Sequence, residues 1–190
     1  SNIILQYIEK HNFFYDGVML SNFYLNDLEE ILLKHPAVKE AEVYSNQQGI
    51  MNIRLQQKKV MARIKTDIVD YYLDGDGLEM ALSEEYTPRV IVVSGDVKQK
   101  HHASIYAFIQ EIYESEFWKS QIMQLHFSGD QVVLVPRVGN QKIHFGTLVN
   151  STQKLDNLYQ FYKQAMPVKG WQTYSDISLK YNNQIVCTKN

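Results

Sequence analysis

The stretch Asp176-Ile177-Ser178-Leu179-Lys180-Tyr181-Asn182-Asn183-Gln184-Ile185-Val186-Cys187-Thr188 decides the fold of the C-terminal part of the chain. Apolar and polar residues alternate on both sides of the Asn-Asn pair. Because asparagine tolerates positive φ angles, the pair predicts a β-hairpin with a two-residue turn. Such a turn sets Tyr181 opposite Gln184, Leu179 opposite Val186 and Ile177 opposite Thr188, so that Leu179 and Val186 share one half-buried face.

The last strand of the chain is expected to be an edge strand with one unpaired side. Natural edges are usually blunted by Lys, Pro or a bulge, because bare backbone groups invite another strand. Residues 184–188 carry none of these features before Lys189. We therefore predict that a partner segment adds here as a further strand, within reach of Lys180 and Tyr181 at the turn. On this reading Val186→Pro removes a strand donor and abolishes binding. The alternative is that a helix, or residues outside this sequence, cover the edge.

The patterns along the rest of the chain predict a mixture of helices and strands. Residues 2–10 have helical apolar spacing. A second helix is predicted to begin at Asn26, where Glu29 completes a capping-box pattern, and to end before Pro36. Two alternating stretches around the turn-forming residues 46–49 predict a β-hairpin. Further strands are predicted at residues 60–65, 70–73, 90–94, 122–127, 131–135 and 142–145, and further helices at residues 103–118 and from Ser151 onward.

The composition excludes several classes of function. With 45% hydrophobic and 21% charged residues, the 190-residue chain can bury a core and is expected to be globular. Its 19 basic and 21 acidic residues argue against a nucleic-acid binder, which needs a basic surface. The longest apolar runs, at residues 90–93 and 132–135, are far shorter than the ~20 residues that span a bilayer. Because the sequence begins with Ser1 rather than Met, we interpret it as an excised fragment.

No motif for catalysis or metal binding is found in the sequence. Asp74-Gly75-Asp76-Gly77 is similar to a calcium loop but lacks a carboxylate at the twelfth position in either register, so it predicts a tight turn. His101 and His102 are expected on the solvent side of the following helix rather than as metal ligands. Cys187 is the single cysteine, which excludes an internal disulfide and a thiolate zinc site, and we interpret it as a packing residue. We therefore expect no cofactor, no metal and no enzymatic activity.

Seven stretches in a fixed order carry a family resemblance that extends from about Leu25 to the end of the chain. They are residues 28–43, residues 49–64, residues 72–83, residues 93–95, Gly146 with Lys154-Leu155, residues 158–174, and Ile177-Ser178-Leu179-Lys180-Tyr181. Together they resemble the extracytoplasmic part of the bacterial cell-division family FtsQ/DivIB. Within the last stretch, Lys180 stands where the family has Arg, which keeps the charge but loses the bidentate fork.

The resemblance implies an α+β fold of two domains. Residues 1–65 would form a POTRA-type helix and β-hairpin domain, with its first strand truncated. Residues 66–190 would form a mixed β-sheet domain with flanking helices. The parent protein would be a single-pass inner-membrane protein, anchored by an N-terminal helix absent from this chain, with this fragment on the periplasmic side.

The resemblance also implies a non-catalytic role as a scaffold of the divisome, the assembly that builds the septum. The chain would bind the division proteins FtsB and FtsL and help to recruit septal cell-wall synthesis, with other divisome components contacting the POTRA domain. The partner-binding residues implied by position are Lys180, Tyr181, Asn183, Ile185, Val186, Cys187, Thr188 and Lys189. Two alternatives stay open: another POTRA-containing envelope assembly or secretion factor, and a small cell-wall enzyme with an unrecognised site.

Overall fold

The structure, a computed structural model, describes residues 2–10, 25–83, 86–181 and 184–190. The chain divides into two compact units. The first comprises the described residues up to Lys59 together with those from Met80 to Pro88, and the second comprises Val60–Glu79 and the described residues from Arg89 onward. The mixed α+β class expected from the sequence is confirmed. The assignment of a POTRA fold to residues 1–65 stays a prediction.

The first unit packs two helices against one β-hairpin. It contains α1 (Asn2–Lys10), α2 (Leu25–Leu33), β1 (Val38–Ser45) and β2 (Met51–Gln57). The two strands pair antiparallel, so the predicted hairpin is confirmed. Its turn is held by the side chain of Asn46, whose Oδ1 accepts hydrogen bonds from the backbone N–H groups of Gln48 and Ile50. The small core of the unit consists of Ile8, Leu28, Leu32 and Val43.

The beginning of α2 differs from the sequence prediction. The helix is described from Leu25, so Asn26 lies inside its first turn and is not the capping residue. The Oε1 atom of Glu29 accepts a hydrogen bond of 2.6 Å from the backbone N–H of Val43. Glu29 therefore links α2 to β1 through this hydrogen bond. The bond takes the place of the capping box between Asn26 and Glu29 that the spacing predicted.

The second unit is built on a mixed β-sheet. The described sheet has nine strands in the order β11-β10-β9-β8-β7-β6-β3-β4-β5. The pairs β3/β6, β6/β7 and β9/β10 are parallel, and the register of each is regular. The strands are β3 (Val60–Lys65), β4 (Asp70–Asp74), β5 (Glu79–Met80), β6 (Ile91–Gly95), β7 (Ile122–Ser128), β8 (Gln131–Pro136), β9 (Lys142–Gly146), β10 (Tyr174–Ser178) and β11 (Val186–Lys189).

Three helices cover one face of this sheet. They are α3 (His102–Glu114), α4 (Glu116–Gln121) and α5 (Ser151–Lys169). Their apolar residues form a single core with alternate residues of the strands, as the period of two in a strand requires. On β6, for example, Ile91 and Val93 are buried in this core, whereas Val92 and Ser94 on the other face are only half-buried. The other face of the central strands therefore stays accessible.

The single helix predicted over residues 103–118 is wrong, because the structure has two helices there. The chain leaves helical geometry at Ser115, where φ is −105° and ψ is 114°. The Ser115 Oγ accepts a hydrogen bond from the backbone N–H of Trp118 and so caps the second helix. Trp118 is buried and makes edge-on contacts with Phe117 and Tyr159. The break therefore turns the chain where its aromatic residues enter the core.

Candidate partner-binding edge

The C-terminal hairpin forms in a register shifted by one residue from the predicted one. Cys187 lies opposite Ile177, Val186 opposite Ser178 and Thr188 opposite Asp176, so the predicted pairing of Leu179 with Val186 is wrong. β10 ends at Ser178 and β11 begins at Val186, so the two strands are separated by more residues than the predicted two-residue turn. Asn182 and Asn183 lie outside the described residues.

The burial of Leu179 accounts for this register. The backbone N–H of Leu179 donates a hydrogen bond of 2.9 Å to the carbonyl of His144 on β9, and its side chain is only 4% exposed. Leu179 thus continues the pairing with β9 rather than with β11. Because a shift of one residue moves every side chain to the opposite face, Val186 turns outward and is 46% exposed, while Cys187 packs against the core.

The same register determines which backbone groups face the open side of β11. Backbone groups alternate in direction along a strand, and Leu179 directs its N–H toward β9. Ser178 therefore faces β11, and its opposite residue Val186 faces back toward β10. Asn190 fits this alternation, because its N–H donates to the carbonyl of Thr173. It follows that Cys187 and Lys189 direct their N–H and C=O groups away from the sheet, as does the C=O group of Ile185, which directly precedes the strand.

β11 is the terminal strand of the described sheet, and no described strand pairs with its outer side. Lys189 is exposed, as are Val186 and Thr188, whereas Ile185 and Cys187 are half-buried. The edge predicted from the sequence is therefore present, but the face assignments differ. The half-buried side chains of Ile185 and Cys187 belong to residues whose backbone groups face the open side, and the exposed side chains of Val186 and Thr188 belong to residues paired with β10.

Lys180 and Tyr181 lie beside this edge, both exposed, with Tyr181 at 58%. Gly146 lies next to Lys180: its φ of 80° favours glycine, and a Cβ built on it would make an ordinary contact of 3.4 Å with Lys180 Cγ. Tyr181 also lines a shallow groove of about 520 Å³ together with Leu179 and Gln184. The opposite wall of the groove is the beginning of α5, which the sequence did not connect with the edge. Its lining residues there are Asn150, Thr152, Gln153, Lys154, Asp156 and Asn157.

Lys154 is held in place by its surroundings. Its Nζ donates a hydrogen bond of 2.7 Å to the carbonyl of Thr147 and lies 5.1 Å from the centre of the Phe145 ring. Burial lowers the pKa of Lys154 below its usual range. Lys180 and Lys189, in contrast, form no ion pair with another described residue, so they are the cations beside the edge that can meet a carboxylate of a partner.

The side chains of Ile185 and Cys187 pack against a core that includes Tyr162. Burial raises the pKa of the Tyr162 hydroxyl to about 12, and the ring of Tyr162 lies 5.1 Å from that of Trp171. Burial likewise raises the pKa of the Cys187 thiol, which disfavours the thiolate form that acts as a nucleophile. The contacts of Cys187 are thus those of a packing residue.

The other candidate residues have structural surroundings. His101 is buried, contrary to the prediction for its side chain: its Nε2 lies 3.0 Å from Asp130 Oδ1, and its ring stacks on Phe127. His102, predicted on the solvent side as well, lies with its Nε2 2.6 Å from the Tyr71 hydroxyl. Both predictions were wrong because these side chains fix the beginning of α3 to neighbouring strands. Within the described ranges, no group of three His, Cys, Asp or Glu residues could hold a metal ion.

Residues 74–77 form the predicted tight turn. Asp74 is buried, and its Oδ1 accepts hydrogen bonds from the backbone N–H groups of Asp76 and Leu78. The turn connects β4 to β5, and the carboxylate of Asp74 stabilises the turn from within.

The fold and the edge define an α+β protein whose large mixed sheet ends in an exposed terminal strand. The model of the family described as FtsQ/DivIB, C-terminal related, matches residues 59–188, which is more than half of the chain. The chain therefore belongs to the FtsQ/DivIB family, as the sequence resemblance predicted. This is a family of cell-division proteins that act as non-catalytic scaffolds. A comparison with curated proteins gives no match. Across the part of the chain that the structure describes, no helix is both long and apolar enough to cross a membrane.

Proposed function

We propose that this chain is the extracytoplasmic part of a divisome scaffold that binds FtsB and FtsL and helps to recruit septal cell-wall synthesis. The observation that carries the proposal is the unpaired outer side of β11, the terminal strand of the described sheet. Membership of the FtsQ/DivIB family supports it, because the matched region contains the candidate partner-binding residues except Lys189.

In this proposal a segment of the partner adds to β11 as a further strand. The backbone groups of Ile185, Cys187 and Lys189 supply the hydrogen bonds, and the exposed side chains of Val186 and Thr188 contact neighbouring side chains of the added strand. Lys180, Tyr181 and Asn183 contact the partner where it passes the connection between β10 and β11; the described residues do not include Asn183.

The wider cellular placement is part of the same proposal. The parent protein spans the inner membrane once, through a helix before this sequence, and places this chain in the periplasm. Residues 1–65 act as a POTRA-type domain that other divisome components contact. The packing of two helices on a hairpin in the first unit supports this assignment.

The experiment compares variants of Cys187, because its N–H points to the open side. Cys187→Pro removes this donor at an edge position that tolerates proline, and Cys187→Val keeps the donor with a similar volume. We expect Cys187→Pro to weaken binding of the extracytoplasmic fragment of FtsB by roughly 10-fold, the value of one hydrogen bond of about 1.4 kcal/mol. Cys187→Val is expected to bind within about 2-fold of the parent chain, since hydrophobic swaps of similar volume are well tolerated. Titration calorimetry measures both values.

The register makes Val186→Pro a different kind of variant from the one expected from the sequence. The N–H of Val186 faces β10, so proline there breaks the hairpin itself instead of removing a donor for the partner. Equal affinity of Cys187→Pro and Cys187→Val for FtsB would contradict strand addition at β11. A parent chain that binds neither FtsB nor FtsL would contradict the proposed function as a whole.

A further inference from the structure

His101 fixes the beginning of α3 through both of its ring nitrogens. Its Nδ1 accepts a hydrogen bond of 3.1 Å from the backbone N–H of Lys98, and its Nε2 lies 3.0 Å from Asp130 Oδ1 in the turn after β7. His101 is only 7% exposed, and its ring stacks on Phe127. Because a backbone N–H can only donate, Nδ1 carries no proton. The ring is therefore neutral, and its single proton lies on Nε2, directed at Asp130.

The bond between Lys98 and His101 closes the short 3₁₀ turn that precedes α3. This turn comprises Gln99–His101, and the backbone N–H of His101 donates a hydrogen bond of 2.8 Å to the carbonyl of Lys98. A side chain at the third position of a helix that accepts from the N–H before the helix is one half of a capping box, a position usually filled by glutamate or glutamine. Histidine differs from glutamine in one respect: the accepting nitrogen can take up a proton.

The two partners of His101 favour different protonation states. The carboxylate of Asp130 attracts the imidazolium cation, whereas the N–H of Lys98 requires the neutral ring. A proton on Nδ1 sets two N–H groups against each other and removes this hydrogen bond, while the bond from Nε2 to Asp130 stays in place. Uptake of a proton by the ring therefore exchanges a backbone contact for a stronger ion pair.

Two further charged groups lie at this place. Lys100 opposes the cation, because its Nζ lies 2.7 Å from the same Asp130 oxygen. Asp96, in the chain between β6 and α3, accepts a hydrogen bond at Oδ2 from the backbone N–H of Gly129 in the turn that carries Asp130. The neighbouring His102 bonds elsewhere, to the hydroxyl of Tyr71.

We propose that His101 is a pH-sensitive catch, which holds the chain between β6 and α3 at neutral pH and releases Lys98 when the ring takes up a proton. Histidine is the side chain whose charge ordinarily changes between about pH 5 and 8. Residues 96–98 form one wall of a shallow depression of about 760 Å³, on the sheet face opposite the helices and at the carboxyl ends of the parallel strands β3, β6 and β7. Acidification frees the backbone of this wall, while Phe127 and Asp130 keep the ring in place.

The test uses His101→Gln, because glutamine can accept from the Lys98 N–H and donate to Asp130 but does not titrate. NMR measures hydrogen exchange of the Lys98 amide in the 190-residue chain, as a protection factor at about pH 7.5 and about pH 5. In the parent chain we expect this factor to fall roughly 10-fold on acidification, the value of one hydrogen bond. In His101→Gln it is expected to stay within about 2-fold. The amide of Ile109, buried in the middle of α3, is expected to keep its protection in both chains, which shows that they are folded.

Nitrogen chemical shifts of the His101 ring report its tautomer in the same samples. We expect a proton on Nε2 alone at about pH 7.5 and protons on both nitrogens at about pH 5. A ring that carries its proton on Nδ1 at neutral pH, or that stays neutral at about pH 5, overturns the proposal. An equal fall in the protection of Lys98 in His101→Gln overturns it as well, because acid then loosens this wall without His101.

Asp130→Asn provides a second variant that does not alter the ring. Asparagine can still accept from Nε2 but no longer attracts the cation, so release of Lys98 is expected at a lower pH than in the parent chain. Release at the same or a higher pH contradicts the proposal. None of these measurements involves β11 or FtsB, so this proposal and the proposed function fail independently.

Discussion

Leu179→Ala tests the register of the C-terminal hairpin directly. Leu179 is 4% exposed, so removing its side chain beyond Cβ leaves a cavity in the core and should lower the free energy of unfolding by about 3 kcal/mol, within the usual ~2–5 kcal/mol for buried leucine. Val186 is 46% exposed, and Val186→Ala should cost less than about 1 kcal/mol. In the register predicted from the sequence, both residues share one half-buried face and the two costs would be similar.

Urea denaturation followed by tryptophan fluorescence measures both costs, because Trp118 is buried in the same core. Equal slopes of the unfolding free energy against urea concentration are needed for the comparison. If Val186→Ala costs as much as Leu179→Ala, the observed register is wrong. The assignment of the Cys187 backbone to the open side would then be wrong as well.

Three further predictions concern groups outside the edge. Hydrogen bonds from Lys100 and then His101 lower the pKa of Asp130 to about 2, below its value of 3.8 in the unfolded chain, so its contribution to stability is present above about pH 4 and is lost as the pH falls toward 2. Asp130→Asn should therefore flatten the acid limb of a stability–pH curve, and a carboxyl titration by NMR with a midpoint near 4 would refute the assignment. Gly146→Ala and Gly129→Ala should each lower the free energy of unfolding by about 1 kcal/mol, because both positions have positive φ and a Cβ at either one meets nothing closer than ordinary van der Waals contact; a much larger cost at Gly146 in urea melts would contradict this reasoning. Ser115→Ala should cost about 1 kcal/mol by removing the cap of α4, and Ser115→Asp should restore it; a neutral Ser115→Ala in the same melts would contradict the capping role.

The elements that the sequence predicted correctly are those specified by local alternation. The hairpin of β1 and β2 follows from apolar residues at every second position beside turn-forming residues. Family membership was also predictable, because it rests on several short stretches in order. Each of these signals lies within a few consecutive residues.

The errors occur where a contact distant in sequence decides the outcome. The hairpin register depends on Leu179, which bonds to His144 on β9, and nothing in the last fifteen residues shows that contact. The break at Ser115 follows from the packing of Trp118. His101 is buried because its ring stacks on Phe127 in the folded unit. For the candidate site, the sequence therefore placed the edge strand correctly but assigned its faces to the wrong residues.

The alternation on β11 has a consequence for mutational scanning of this edge. At Ile185 and Cys187 the open backbone belongs to residues whose side chains pack on the core, so alanine there changes folding and leaves the main-chain hydrogen-bonding groups intact. At Val186 and Thr188 the side chains are exposed and the backbone faces β10, so alanine there has little effect on folding and, in the proposed strand addition, changes specificity. If a partner strand adds here as proposed, a side-chain scan would thus record the positions that supply its main-chain hydrogen bonds as stability defects. The same separation lets the sequence of the edge diverge while its hydrogen-bonding pattern stays constant.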